Sequence, residues 1–107
     1  MCTQLDFVFA AKKRVGPAYL GAGLPNYYSP SNFAAFSSGY YQFINNMWNS
    51  YQQFGCSWFQ NRVSHWNSQL TGPPPITTPY HINRKLAKIS YAQELHLLCG
   101  CTGPVPI

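Results

Sequence analysis

Acidic side chains are nearly missing from this sequence. Asp6 and Glu94 are the only two in 107 residues, and charged residues of both signs reach just 8%, against about 25% in an ordinary soluble domain. So few carboxylates exclude Ca²⁺ or Mg²⁺ sites built from several oxygen ligands. Acid-pair chemistry would need Asp6 and Glu94 to meet. No Asn-x-Ser/Thr acceptor occurs.

Long apolar runs are missing too. Residues 15–61 carry no formal charge, yet their centre at 33–51 contains Ser37, Ser38, Gln42, Asn45, Asn46 and Asn49. A membrane-spanning helix needs about 20 predominantly apolar residues, so this stretch does not cross a bilayer. The apolar run at 7–11 precedes the charges Lys12, Lys13 and Arg14, the reverse of a secretory leader. Cysteines stand at 2, 56, 99 and 101, below the density of a disulfide scaffold (about 8–10%). Cys99 and Cys101 are too close to bridge each other without strain. The expectation is an intracellular, reducing setting with free thiols.

Rings are abundant. Eight Tyr, seven Phe and three Trp make up 17% of a chain whose formal charge is +5. This much apolar surface excludes the charged, aromatic-poor type of disordered chain, and the length suits one small domain.

Residues 1–31 combine the basic triplet with a Gly/Pro/Tyr stretch, and fixed proline φ angles predict an extended arm. From residue 33 the pattern changes. Phe33, Phe36, Tyr40, Ile44, Met47, Tyr51, Phe54 and Trp58 recur at strides of three and four, the period of one helical face. Ser31 or Asn32 suits its N-cap, and Gly55 a left-handed stop or a bend. Helices are predicted at about 32–54, 56–70 and 80–99. A proline-rich linker at 71–79 separates the last two, and Pro73-Pro74-Pro75 favours a stiff polyproline II spacer. Gly100 is placed to end the last helix, before an extended tail. The fold class is all-α, with two or three helices.

Two constellations could carry metal or covalent chemistry. His96-x-x-Cys99-x-Cys101 offers zinc-type donors, with His81, His65 or Cys56 as a fourth, although Cys-x-Cys lacks the Cys-x-x-Cys knuckle and no second ligand pair exists. Cys56 with His65 could form a nucleophile and base, but no orienting third group accompanies them. Metal, cofactor and catalytic residues are therefore each expected to be absent. The fragments Ala11-Lys12-Lys13-Arg14-Val15 and Tyr19-Leu20-Gly21-Ala22-Gly23 resemble pieces of the N-terminal unique region of parvovirus capsid proteins. In that family the Tyr-x-Gly-x-Gly segment is similar to a phospholipase A2 calcium loop. The resemblance is confined to these fragments, and Phe36 and Ser37 stand near where the family has its His-Asp pair. It therefore implies no phospholipase activity here.

The ring-bearing segment suggests a function of a different kind. Tyr41, Phe43, Trp48 and Phe59 fall off the main stripe, so the long helix is apolar on more than one side, and one further helix cannot cover both flanks. Excess aromatic surface with few acids and lysines has the composition of an interface core. The expectation is a non-enzymatic structural or accessory protein packed against a larger, acidic protein assembly or against itself. Phe36, Tyr40, Trp48, Tyr51, Phe54 and Trp58 are its contact residues, and Lys12, Lys13, Arg14, Arg84, Lys85 and Lys88 its electrostatic guides. Ranked behind it are a small basic protein at a membrane surface or on nucleic acid, including a minor viral structural protein, and the product of a weakly selected reading frame.

Overall fold

The computed structural model describes residues 2–14 and 30–107, with side chains at 2–14 and from 42 onward, 80 and 83 excepted. The described residues are helical, without strands. The helices are α1 (Gln4–Lys12), α2 (Pro30–Phe54), α3 (Ser57–Thr71) and α4 (Pro79–Leu98). Among the described residues the count is four where two or three were expected, because Gln4–Lys12 is helical and not part of an extended arm. Residues 15–29, which hold Gly21 and Gly23, lie outside the described residues.

Local sequence explains each helix end. Asp6, at the third position of α1, accepts the Thr3 backbone N–H at 2.7 Å, which satisfies a donor that the helix leaves orphaned and sets a negative charge on the positive helix end. One of the two acids is thereby committed to a cap. Helix α2 begins at Pro30, where a fixed φ and a missing N–H do no harm. It already includes Ser31 and Asn32, so neither is its N-cap. Gly55 ends it with φ +72°, its N–H bonded to the Tyr51 carbonyl at 2.7 Å.

Between α3 and α4 the chain is not a polyproline rod. The Ile76 N–H returns to the Leu70 carbonyl at 3.2 Å, folding the linker back on the end of α3. Gly72 turns there with φ +71°, and a Cβ at this position would collide with Pro74 and Pro75 backbone atoms. Pro79 opens α4, with Thr78 extended before it. The other end of α4 is a Schellman turn: the Gly100 N–H bonds the Leu97 carbonyl at 3.2 Å and the Cys101 N–H bonds the His96 carbonyl at 3.0 Å, with Gly100 at φ +67°.

Phe7 of α1 is the centre of the core. It is fully enclosed, with ring centroids at 5.2 Å from Trp48, 5.6 Å from Tyr51, 6.1 Å from Phe59 and 6.4 Å from Tyr91. Tyr91 also donates its hydroxyl to the Phe7 carbonyl at 3.0 Å, which gives this buried phenol a hydrogen-bond acceptor. Helix α1 thus supplies the second cover for the aromatic helix. Ile44, Met47, Phe59, Val63, Trp66, Leu95 and Ala92 complete the interior.

Two disulfides replace the expected free thiols. Cys2 bridges Cys99 across 97 residues, and Cys56 bridges Cys101 across 45. The Schellman turn makes this pairing feasible, because Cys99 and Cys101 straddle Gly100 and reach different partners. One bridge fastens the start of α1 to the end of α4. The other fastens the α2–α3 corner to the tail.

Candidate functional site

Of the basic triplet expected to guide a partner, Lys12 and Lys13 are exposed and Arg14 is turned inward. Arg14 is only 6% exposed. Its guanidinium donates to the Ala10 carbonyl (2.7 Å), a Glu94 carboxylate oxygen (2.7 Å), the Ser90 carbonyl (3.0 Å) and the Ser90 hydroxyl (2.9 Å). Lys13 holds the other Glu94 oxygen at 2.8 Å. Burial pushes the Glu94 carboxyl up, but the hydrogen bonds and charges of Lys13 and Arg14 outweigh it and hold the group below its ordinary range. This node joins α1 to α4. Asp6 and Glu94 are each committed elsewhere and form no acid pair. Lys12 is exposed.

The weak metal candidate dissolves for a chemical reason. Cys99 and Cys101 each spend their sulfur in a disulfide, and a bridged sulfur is not the thiolate that zinc requires. His96 is buried, with its Nδ1 unpaired. Among the described residues no cluster of His, Cys, Asp or Glu could hold a metal ion. Cys56 is likewise unavailable as a nucleophile.

Of the expected contact residues, Trp48, Tyr51 and Trp58 are half-buried against the chain's own core. Phe54 is 52% exposed and stacks on Trp58 at 5.5 Å. The side chains of Phe36 and Tyr40 lie outside the described residues. The premise that this fold cannot hide its own rings is therefore corrected for Phe59 and Trp66, which are buried, and reduced for Trp48, Tyr51 and Trp58.

What the structure assembles instead is an open groove of about 450 Å³ between α2, α3 and α4. Its walls are rings, from Phe43 on α2 and from Trp58 and Trp66 on α3, with the Met47 thioether among them. Asn46 and Ser50 supply an amide and a hydroxyl. Arg62 and Lys88 supply cations, and both rest on rings. The Arg62 guanidinium carbon is 4.5 Å from the Trp58 centroid. The Lys88 ammonium is 5.2 Å from the Phe43 centroid and 6.0 Å from that of Trp66. Helical spacing places Arg84 and Lys85 one turn before Lys88 on the same face.

Burial first, and then the charges of Lys85 and Arg84, lower the Lys88 ammonium from 10.5 to about 8. Lys85 is lowered for the same two kinds of reason, desolvation and then Arg84. Neither side-chain carboxylate of the chain relieves this crowding, since Asp6 serves the α1 cap and Glu94 serves Lys13 and Arg14. A second hollow of about 600 Å³ is lined by His65, Gln69, Pro73, Pro74, Ile76 and Lys85, among others. It lacks the ring-backed cations.

Sequence reading found Lys88 and Trp58 but did not bring them together, and it missed Arg62 and Phe43 as members of one site. The available signal was Trp58, Arg62 and Trp66 at intervals of four, a spacing that puts a cation and two indoles on one helix face. No protein-family model, curated protein or solved structure matches this chain.

Proposed function

We propose that this chain is a non-enzymatic interaction protein that seats an acidic partner on the cationic, ring-walled side formed by α2, α3 and α4. The observation that carries the reading is that Arg62 and Lys88 line one groove, with Lys85 a helical turn before Lys88, in a chain whose only two carboxylate side chains are engaged elsewhere. Bringing a partner's carboxylates to half-buried cations relieves their mutual repulsion, and rings beside them give the contact an apolar component. The two bridges support maturation in an oxidising compartment. This reading replaces the reducing, intracellular setting expected from the low cysteine density, the Cys99–Cys101 spacing and the lack of leader-like and glycosylation signals.

The test is fluorescence anisotropy of a labelled Glu/Asp-rich peptide with the oxidised full-length chain. Binding should appear at low salt and weaken steeply toward physiological salt. Lys85→Glu should abolish it while leaving the circular dichroism melt in place. Binding that ignores salt and Lys85→Glu, or no binding at low salt, refutes the reading. Preference for single-stranded RNA or for anionic vesicles over the acidic peptide in the same titration also refutes it.

A further inference from the structure

We infer that the Arg62–Lys88 groove is a specific pocket for a carboxylate carried on an apolar, ring-sized body. This deepens the acidic-partner reading and rests on it, by naming what enters the groove.

The walls argue for the body. Phe43 and Trp58 are half-buried and present part of their rings to the space, with the buried Trp66 behind them, and at about 450 Å³ the space is larger than a bare anion fills. It falls within the volumes that small ligands occupy, about 300–1,000 Å³. An inorganic ion would leave the accessible parts of Phe43 and Trp58 wet.

The polar groups argue for the anion. Arg62 already donates its Nε and one terminal nitrogen to Asn61 at 3.0 and 2.6 Å, which anchors the guanidinium over Trp58 and leaves its other terminal nitrogen for a ligand. Lys88 is half-buried over Phe43 and Trp66, where water solvates it poorly. A carboxylate between these two cations would gain charge-assisted hydrogen bonds in a partly desolvated place, where they are stronger than at an open surface. A monoanion is favoured over a phosphate dianion because the same ring walls that strengthen the contact raise the desolvation cost of each charge.

Two sources present this chemistry: a free aryl-alkyl carboxylic acid, and the C-terminal aromatic residue of a peptide. The experiment uses the oxidised, full-length protein and follows its indole N–H resonances by NMR. The probes are 4-phenylbutyrate with its neutral amide, and a short peptide ending in Phe as free acid or as amide. Saturable shifts at Trp58 and Trp66 are expected with the acids, and affinity about tenfold or more weaker with the amides, the worth of one charge-assisted contact. Phenylbutyrate binding as well as the peptide acid identifies a free carboxylic acid as sufficient. Peptide acid alone identifies a chain terminus.

Lys88→Met should remove this discrimination without unfolding the protein, since it replaces a desolvated cation with an apolar chain of similar length. Its melting temperature serves as the control. Equal binding of acid and amide, or no shift with either acid, overturns the pocket. If the Glu/Asp-rich peptide still binds in that case, the broader acidic-partner reading stands without it. If that peptide fails as well, both fall.

Discussion

Removing the Cys2–Cys99 bridge tests the architecture most directly. Cross-linking residues 97 apart withdraws about 4.7 kcal/mol of chain entropy from the unfolded state in the loop-closure account, and the 45-residue bridge about 4.0 kcal/mol on the same basis. The two circuits interleave, so the second closes a shorter path once the first exists, and the contributions do not add. A domain of this size has a net stability of about 5–15 kcal/mol in all. The double variant Cys2→Ser/Cys99→Ser, with Cys56–Cys101 intact, should therefore lose about 3–5 kcal/mol. At about 4–8 °C per kcal/mol that lowers the melting temperature by about 12–40 °C. The assay is a circular dichroism melt of variant and oxidised wild type side by side, with mass spectrometry to verify the remaining bridge. A fall of less than about 4 °C, the worth of a single kcal/mol, would refute the reasoning.

Two further outcomes follow from particular contacts. Phe7→Ala empties the meeting point of four rings and should cost about 3–5 kcal/mol, with loss of the near-ultraviolet aromatic signal. A variant melting within a few degrees of wild type would mean that the core collapses around the gap. For Glu94 the sign is that of a depressed carboxyl: its contribution is complete above the group's ordinary pKa of about 4.5 and is lost as pH falls through the lower folded value. The melting temperature should therefore drop as the solution is acidified below about pH 4.5, and Glu94→Gln should flatten that drop while lowering stability at neutral pH. A Glu94→Gln profile parallel to wild type would show that the Lys13–Arg14 node is not the acid-sensitive element.

The helices were legible wherever one face dominated. The three-and-four rhythm from Phe33 to Trp58, the break at Gly55, the proline entry at Pro79 and the exit at Gly100 all follow from local periodicity and turn chemistry, and the structure places helix ends within a few residues of them. Helix α1 was not legible, because only Phe7, Ala10 and Ala11 of it are buried, while Leu5 and Phe9 are 63% and 58% exposed. So short a segment shows no clean face, and it takes its order from tertiary contact and from a bridge to the far end of the chain. Disulfide pairing is likewise a statement about distance in space, invisible in spacing. The groove was half-legible. Its residue types stood out, but that Phe43, Arg62 and Lys88 converge depends on how α2, α3 and α4 cross.

The link from Cys2 to Cys99 also changes what the order of the chain means. With it in place, α1 is held by sulfur to the last helix as well as by peptide to the segment before α2, so the backbone closes into a covalent ring. A single proteolytic cut anywhere between α1 and α2 would leave one molecule of unchanged mass apart from an added water. Its first helix would remain docked, as though it had been spliced onto the end of α4.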